Sequence, residues 1–341
     1  MQVEQGPLAS IIIVNWNGLR WLRQLLPGLR EQSFRDFEIV VVDNGSSDGS
    51  LEFLRQAHQD VRTVPLKENS GFAGGSNAGI RASRGKYVVL LNNDTRPERD
   101  WLGELVRAAE ADPSVGMCAP LILDADRVDL LDSAGIAVSW DGFSRQMRHG
   151  EPVPDNLPAQ ECLAPSGCSG LYRREMLDRI GLLDEDFFCY CEDTDLGLRG
   201  RFAGWKCVLC PGARVHHYYS QSGGRALAKK IFWVERNHYY VAIKNYPWFL
   251  VLALPFTSLW RLASQLFATL HGQASGKVFR GDLTIAGALR AFGAAYLSLL
   301  VRLPSMFLKR RRVQSTRKLS ARECYRLIRT YQVNVSDIVF N

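Results

Sequence analysis

The chain has 341 residues, 46% of them hydrophobic, which is enough to bury the core of one large domain or two smaller ones and excludes a disordered tail protein. Its formal net charge is +7, yet residues 301–330 alone hold ten lysines and arginines against a single acid, Glu323. The positive charge is therefore concentrated near the C-terminus, which indicates an anionic surface as partner there and argues against nucleic acid wrapped around the molecule.

The first ten residues, MQVEQGPLAS, lack the charged and then apolar pattern of a secretory leader, so we expect a protein of the reducing cytosol whose eight cysteines form no structural disulfides. Cys189, Cys191, Cys207 and Cys210 form a CxC and CxxC set. We do not expect zinc there, because CxC is an unusual ligand spacing. Cys207 instead alternates with Leu209 in a strand-like run, as a small core residue would.

Residues 8–111 repeat one unit, an apolar strand followed by a helix. The strands show no polar alternation, which is typical of a parallel sheet covered by helices on both faces. The glycine-rich run GFAGGSNAG at 71–79 does not give the GxGxxG spacing and opens the third unit, so it disfavours a dinucleotide-binding Rossmann fold. The predicted pairs are a strand at 8–14 with a helix spanning 22–29, then 37–42 with 48–57, 61–66 with 74–82, and 87–91 with 97–111.

Polar residues follow two of these strands. Asp43 ends the second strand before small turn-forming residues, so its carboxylate can accept hydrogen bonds from a base or ribose in the crevice beyond the sheet. The alternative, a capping role for the next helix, is the interpretation we favour for Asp48. Asp94 ends the fourth strand after Asn92 and Asn93, where a carboxylate can hold a divalent cation that neutralises a departing diphosphate. A simple Asn-Asn-Asp-Thr turn is the alternative.

Beyond Val115 the pattern loosens into predicted short strands and a proline-rich loop at 135–165. Glu192, Asp193 and Asp195 then begin a predicted helix. One of these acids should face the sheet end as a fixed general base, while the others cap the helix or pair with arginines. His216 and His217 end a strand-like run near these acids, which indicates a phosphate or metal contact with one ring facing inward.

The composition changes at about residue 225, so we predict domains at 1–224 and 225–341. The uncharged run Asn245–Trp260 contains two prolines and is shorter than the roughly 20 residues that span a bilayer, and the run Ala291–Val301 is shorter still. We therefore expect helices in the membrane interface. Trp248 and Trp260 would lie at headgroup depth, and the basic run Lys309, Arg310, Arg311 and Arg312 against anionic lipid.

Two other arrangements of the C-terminal region stay open. Its helices could form a hairpin packed on the first domain. A bent helix over residues 246–270 could instead span the membrane, with the basic segment on the cytoplasmic side.

Six motifs in this order resemble the family 2 inverting glycosyltransferases of the GT-A fold, particularly their bacterial rhamnosyltransferase-like branch, over residues 8 to about 220. The resemblance implies an α/β fold with a mostly parallel sheet flanked by helices, to which a C-terminal helical, membrane-associated region is added. The motifs are IIIVNWNG, VVDNGSSDGS, NSGFAGGSNAGI, VVLLNNDT, an acid-rich run ending in YCEDTDLGLR, and PGARVHH.

The same resemblance implies roles for individual residues. Asp193 matches the catalytic base, and Asp94 the metal-binding end of a DxD-type motif, with Mg²⁺ or Mn²⁺ as cofactor. His217, and after it His216, matches a ligand of the metal or diphosphate. Since the motif is NND here, the metal would depend more on phosphate and water. The implied donor-binding residues are Asn15, Asp43, which contacts the nucleobase, Asn69, Gly71, Asn77, Asn93 and Asp94; Glu192 and Asp195 lie on the acceptor side or support the base.

The function implied is transfer of a sugar, with rhamnose suggested by the branch resembled, from a nucleoside-diphosphate sugar to a hydroxyl of a lipid-linked or polysaccharide acceptor. The anomeric configuration inverts, and the product enters cell-surface glycans. We expect the enzyme to lie on the cytoplasmic side of the inner membrane, peripheral or shallowly inserted, and to bind no nucleic acid. A nucleotidyltransferase acting on sugar phosphates is an alternative, but NWNGLRW is not a basic phosphate loop. A non-catalytic membrane scaffold would leave the acids and histidines unexplained.

Overall fold

The computed structural model describes residues 6–218, 227–270 and 285–333. Its packing divides the chain into an N-terminal unit of residues 1–136 and 146–222 and a C-terminal unit of residues 137–145 and 223–341. The boundary predicted after residue 224 lies outside the described residues. The assignment of residues 137–145 to the C-terminal unit has no counterpart in the sequence pattern.

The first half of the N-terminal unit has the predicted alternation of strands and helices. Three of the four strands have buried, apolar interiors, and the helices turn apolar residues inward, as for Leu22, Leu25 and Leu29. The elements are β1 (Ala9–Asn15), α1 (Leu19–Arg30), β2 (Phe37–Asp43), α2 (Ser50–Ala57), β3 (Arg62–Pro65), α3 (Gly71–Ala82) and β4 (Tyr87–Leu91).

These four strands are parallel, as predicted. β1 pairs with both β2 and β4, and β2 pairs with β3. The register aligns Asn15 with Asp43, so the last residues of β1 and β2 lie side by side. Polar groups at the carboxyl ends of neighbouring parallel strands therefore meet at one edge, which is where open α/β sheets bind ligands.

The second half of the unit makes the sheet mixed. Its elements are β5 (Thr95–Pro97), α4 (Trp101–Ala111), β6 (Val115–Asp124), β7 (Leu131–Ser133), β8 (Ile136–Val138), β9 (Ser144–Gln146), β10 (Gln160–Glu161), β11 (Ser169–Arg173), α5 (Arg174–Ile180), a 3₁₀ turn (Glu185–Phe187), α6 (Glu192–Phe202) and β12 (Lys206–His217). β11 lies between β4 and β6 and runs antiparallel to both, whereas β12 runs parallel to β6. The sheet order is β10-β12-β6-β11-β4-β1-β2-β3, with β5 on β12 and β7 on β6, while β8 and β9 form a separate pair.

Alternate residues of the central strands enter two separate apolar layers. Ile11 and Ile13 of β1 pack with α1 and α4, while Ile12 packs on the other face in the layer that includes Ile80 of α3 and Leu196 of α6. Both faces of the sheet are thus buried, which explains why the strands have no polar alternation. None of the eight cysteines, all of which lie within the described residues, forms a disulfide, and Cys207 is buried in β12.

The described part of the C-terminal unit is mainly helical. Its helices are α7 (Leu227–Asn245), α8 (Trp248–Leu270), α9 (Ile285–Thr316) and α10 (Ala321–Thr330). Helix α10 begins with a capping box, in which Ser320 accepts the Glu323 N–H and the Glu323 carboxylate accepts the Ser320 N–H. Residues 137–145 pack with these helices, since the Tyr246 hydroxyl donates to the Ser139 carbonyl and His238 Nδ1 lies 2.8 Å from the Asp141 carbonyl oxygen.

Arg261 of α8 is the centre of a buried ion network in this unit. Its guanidinium donates to Asp141 at 2.7 Å and to Glu235 at 2.9 Å, and it stacks over the Phe143 ring. Despite the cost of burial, Arg261 and its neighbour His238 hold the pKa of Glu235 at about 2. The arginine that directly follows the predicted apolar run therefore faces the protein interior and not solvent.

The outer face of α8 is apolar. Its exposed side chains follow helical spacing from Trp248 through Leu252, Phe256 and Trp260 to Phe267, and Phe256 is 76% exposed. Among the described residues, one helix, Ala286–Thr316, is long and apolar enough to cross a membrane by length and composition. A continuous exposed apolar face such as that of α8 marks a site that contacts another molecule or a membrane.

One residue of the predicted lipid-facing basic run does not face outward. Arg310 is 4% exposed, donates to the Ile243 carbonyl oxygen at 2.6 Å and stacks over the Trp248 ring. The prediction for this residue was wrong, because a cation is favoured at the C-terminal carbonyls of a helix such as α7. Arg311 and Arg312 are exposed.

Candidate active site

The end of β1 is joined to the segment after β4 by an amide pair. Asn93 Nδ2 donates to Asn15 Oδ1 at 2.8 Å, and both side chains are buried. Gly18 lies against this pair: a Cβ there would collide with Asn93 Nδ2 and lie 2.5 Å from Asn15 Oδ1. The sequence NWNG thus provides an amide at the strand end and a glycine that lets the following loop approach it.

Asp43 lies beside Asn15 with one oxygen unsatisfied. Its Oδ2 accepts the Ser46 N–H at 3.3 Å, whereas its Oδ1 is buried and has no hydrogen-bond partner among the residues that the structure describes. A buried carboxylate oxygen without a donor is costly, unless a ligand supplies one. This oxygen therefore fits the N–H or O–H group of a bound molecule.

The loop before α3 is shaped by Asn44, which the sequence analysis did not single out. Asn44 Nδ2 donates to Asn69 Oδ1 and to the Gly71 carbonyl, and Asn44 Oδ1 accepts the Ser70 N–H. Gly71 has a φ of 75°, and a Cβ at this position would overlap Phe188. Asn69 and Gly71 are thus fixed beside the end of β2, as expected for a loop that lines a nucleotide.

Asn77 lies deeper in α3, and its amide is occupied by the protein. Its Nδ2 donates to the Leu183 carbonyl and to Glu185, and its Oδ1 accepts the Leu183 N–H. These three bonds attach the 183–187 segment to α3. In this structure Asn77 therefore holds the segment that precedes α6, and its contact with the donor stays a prediction.

Asp94 and His217 form the second part of the site. Asp94 Oδ1 and His217 Nε2 are 3.6 Å apart, and both side chains are buried. The other ring nitrogen, Nδ1, lies 2.7 Å from Asp132 Oδ2. Although burial alone would lower the pKa of His217, the neighbouring Cys168 and the two acids raise it well above its ordinary value. The ring therefore lies between two carboxylates, those of Asp94 and Asp132.

His216 lies on the opposite side of β12. The register places His216 opposite Arg96 and His217 opposite Thr95, and successive side chains of a strand point to opposite faces. His216 Nε2 contacts Glu98 at 3.0 Å, and burial lowers the pKa of the ring. His216 is therefore not part of the Asp94 cluster.

Asp193 is fixed at the start of α6 by backbone donors. Its Oδ2 accepts the Gly167 N–H at 2.7 Å, and its Oδ1 accepts the Thr194 N–H at 2.6 Å. Burial raises the pKa of Asp193 even though these donors favour the charged form. A carboxylate held in place with a raised pKa has the properties of a general base.

The neighbouring acids have different surroundings. Glu192 is buried, and its pKa is raised well above the ordinary value by burial and by the charge of Asp193. Asp195 forms a buried ion pair with Arg199 at 2.9 Å, and that guanidinium also donates to the carbonyls of residues 180–182 at the end of α5. Asp195 therefore supports the helix that carries Asp193.

The segment Gly167–Cys168 links the two predicted acids. Gly167 holds the Asp193 carboxylate, while the Cys168 carbonyl accepts the Asn92 N–H at 2.8 Å. The Cys168 thiol is within hydrogen-bonding reach of His217. Asp193 and Asp94 are therefore brought to the same edge of the sheet, because β11 is inserted beside β4.

A divalent cation fits the Asp94 cluster only together with a ligand. Asp94 and His217 offer two protein donors, and among the described residues no three or more His, Cys, Asp or Glu side chains are grouped so that they could hold an ion. Mg²⁺ is commonly held by one or two carboxylates, substrate phosphates and water. The cluster thus fits a cation that binds jointly with a diphosphate.

Solved structures of other proteins share this fold. The mannosyltransferase PcManGT of Pyrobaculum calidifontis, in complex with GDP-Man and Mn²⁺, is similar with a TM-score of 0.51 and 20% identity over 92% of this chain and 86% of that one. S. aureus TarS 1–349 in complex with UDP is similar with a TM-score of 0.53 and 17% identity over 94% of this chain and 90% of that one. The fold is that of the GT-A glycosyltransferases.

Residues 10–181, about half of the chain, match the family model described as Glycosyl transferase family 2, and the chain belongs to that family. The resemblance found in the sequence is thus confirmed.

The chain covers nearly all of one curated relative and about a quarter of another. The chain is 28% identical over 304 residues to N-acetylglucosaminyl-diphospho-decaprenol L-rhamnosyltransferase of Mycobacterium tuberculosis, covering 82% of this chain and 94% of that protein. It is 29% identical over 238 residues to the uncharacterized protein y4gI of Sinorhizobium fredii, covering 65% of this chain and only 26% of that protein.

Proposed function

We propose that this family 2 glycosyltransferase moves a sugar from a nucleoside-diphosphate sugar to a hydroxyl of a lipid-linked acceptor, with inversion at the anomeric carbon. The observation that carries the proposal is the convergence of Asp193 and Asp94 at one edge of the sheet through Gly167–Cys168. Rhamnose carried by deoxythymidine diphosphate is the donor to test first, and a polyprenyl-diphosphate glycan the acceptor. The mycobacterial relative, whose name states a rhamnosyl transfer to such a lipid, supports this choice.

The donor nucleotide would lie at the ends of β1 and β2. Asp43 Oδ1, buried and without a partner among the described residues, would accept a hydrogen bond from the nucleobase. Asn69 and Gly71 would line the nucleotide in the conformation set by Asn44. The Asn15–Asn93 pair would keep the segment that leads to Asp94 close to the donor.

Catalysis would start with removal of the acceptor proton by Asp193. Both carboxylate oxygens are oriented by backbone N–H groups, so the group is pre-positioned, and its raised pKa increases its strength as a base. The acceptor oxygen then attacks the anomeric carbon while the bond to the diphosphate breaks. A single displacement of this kind inverts the configuration.

Asp94 and His217 would hold Mg²⁺ or Mn²⁺ together with the diphosphate. When bound, the cation supplies positive charge that stabilises the departing diphosphate. The Asp94 carboxylate and the neutral His217 Nε2 would orient it, since both are buried and face each other across 3.6 Å. The protein residues thus fix the geometry, and the donor completes the ligand set.

The C-terminal unit would attach the enzyme to the cytoplasmic side of the plasma membrane. The exposed side chains of α8 are apolar from Trp248 to Phe267, and Arg311 and Arg312 are exposed at the end of α9. An apolar helix face together with exposed basic residues is complementary to an anionic lipid surface. An enzyme held in this way meets a lipid-linked acceptor within the plane of the membrane.

Incubation of the full chain with a panel of nucleotide sugars and Mn²⁺ tests the proposal, with release of nucleoside diphosphate as the signal. We expect release to require both one donor and a polyprenyl-diphosphate glycan in the vesicles. Nuclear magnetic resonance of the product should show an inverted anomeric configuration. Retention of configuration, or transfer by a variant without the Asp193 carboxylate, would contradict the mechanism.

A further inference from the structure

Asp132 holds the outer side of the His217 ring. Its Oδ2 lies 2.7 Å from His217 Nδ1, and its Oδ1 lies 3.1 Å from His149 Nδ1. Asp132 is 3% exposed, and the hydrogen bonds with the two histidines lower the pKa of its carboxyl despite burial. A carboxylate at this position would let His217 carry its proton on Nδ1 and present its Nε2 lone pair to a cation held beside Asp94.

A bulge in β7 places Asp132 in this position. Ser133 pairs with Ile122, and Leu131 pairs with Leu123. Ile122 and Leu123 are adjacent on β6, whereas Asp132 lies between their two partners on β7, so Asp132 is the extra residue of the bulge. A bulged residue leaves the regular alternation of the strand and is re-aimed, as often occurs beside active sites. The bulge directs the Asp132 carboxylate at the end of β12.

We propose that Asp132 is a positioning residue for the cation, and that it acts by fixing the tautomer and orientation of the His217 ring. The inference rests on the proposed function, since it assumes that Asp94 and His217 hold a divalent cation with the diphosphate. Metal-binding histidines generally donate their second ring N–H to a carboxylate or carbonyl, and loss of that partner typically lowers metal affinity about 10- to 100-fold. Asp132 would not touch the substrate.

The test compares Asp132→Asn with Glu98→Gln in the full chain by isothermal titration calorimetry. Glu98 is the matched control, because it pairs with His216 on the opposite face of the same strand. The probes are Mn²⁺ alone and Mn²⁺ in the presence of deoxythymidine diphosphate. We expect Asp132→Asn to weaken Mn²⁺ binding about 10- to 100-fold and Glu98→Gln to leave it unchanged.

A double-mutant cycle shows whether Asp132 acts through the histidine. In a His217→Ala background, Asp132→Asn should weaken Mn²⁺ binding no further, because the residue that it positions is gone. Additive losses in the double variant, an unchanged affinity in Asp132→Asn, or no Mn²⁺ binding by the unaltered protein in the presence of deoxythymidine diphosphate would each overturn the proposal. Asp132→Glu, which keeps the charge, replaces Asp132→Asn if the latter does not fold.

The metal titration tests the positioning role of Asp132, and the donor panel tests the proposed function, so the two can be refuted independently. If no nucleotide sugar is consumed although Mn²⁺ binding depends on Asp132, the proposed function is wrong and the positioning role stands. If sugar is transferred and Mn²⁺ binding does not depend on Asp132, the positioning role is wrong and the proposed function stands.

Discussion

Replacement of Asp193 by Asn removes the proposed base while nearly preserving its shape. An amide cannot accept a proton from the acceptor hydroxyl, so kcat should fall by about 100- to 10,000-fold, the usual contribution of general-base catalysis. That loss corresponds to about 2.7–5.5 kcal/mol of transition-state stabilisation. The donor sites around Asp43 and Asp94 are not altered, so the Kd for nucleoside diphosphate should stay within about threefold of the original value, a change below 1 kcal/mol.

The structure also predicts the effect of this change on stability. Asp193 accepts one N–H on each oxygen, from Gly167 and Thr194, but an amide has a single oxygen. One N–H therefore loses its acceptor, at a cost of about 1–3 kcal/mol. Since the folded pKa of Asp193 is raised above 3.8, its ionised form is disfavoured by folding, and removal of the charge offsets part of that cost at neutral pH. We expect a net change within about 2 kcal/mol.

Diphosphate release gives kcat, calorimetry gives the Kd, and thermal melting gives the stability. Glu104→Gln, another acid in the first turn of a helix, is the control and should keep full activity. In the unaltered enzyme kcat should decline as the pH falls through the raised pKa of Asp193, because the protonated base is inactive. An Asn variant that keeps more than about a tenth of the activity, or that loses nucleotide binding in parallel, would refute the assignment.

Three further predictions concern other parts of the molecule. Gly18→Ala should break the Asn15–Asn93 hydrogen bond and weaken nucleotide binding by about 1–2 kcal/mol in calorimetry, because the new Cβ meets both amides. Arg261→Met should destabilise the C-terminal unit by about 3–5 kcal/mol in urea at pH 7, because it leaves two buried carboxylates uncompensated. Glu235, with a folded pKa of about 2, stabilises this unit above pH 4.5, so that contribution should disappear as the pH falls toward 2 in the unaltered protein and should be smaller in the variant, which keeps His238 but not Arg261 beside Glu235. Replacement of Arg311 and Arg312 by Gln should weaken binding to anionic vesicles by about 1 kcal/mol per residue in cosedimentation.

Each of these predictions has a control. Gly28→Ala changes a glycine whose Cβ would meet nothing within 4 Å, so it should not affect nucleotide binding. Arg290→Met removes an exposed arginine and should leave the urea midpoint unchanged. Neutral vesicles should not distinguish the double Gln variant from the original protein. Equal effects of a variant and its control would show that the contact named does not cause the change.

Short-range patterns in the sequence were enough to predict the first half of the fold. The β-branched runs and leucine spacings are local, and they led to β1 through β4, their helices and the parallel pairing. Parallel strands bring their carboxyl ends to one edge of the sheet, so the sequence predicted where polar side chains would gather, while the structure supplied the register that places Asn15 beside Asp43. The choice of Asp193 among the three acids of its helix depended on the family resemblance, whereas Asp94 was also indicated by its position after an apolar strand.

Only the tertiary structure decided the rest of the site. Asp132 is followed by Ser-Ala-Gly, which predicts a turn, and its bulge exists only once β7 pairs with β6. Likewise, β12 pairs with β5, which lies more than 100 residues earlier in the chain. This pairing sets which of the two histidines, His216 or His217, faces the Asp94 cluster. The insertion of β11 between β4 and β6, which brings Asp193 to Asp94, also joins distant segments. Periodicity within about ten residues encodes a helix or strand and its buried face, whereas the partner of a strand depends on how all elements pack together.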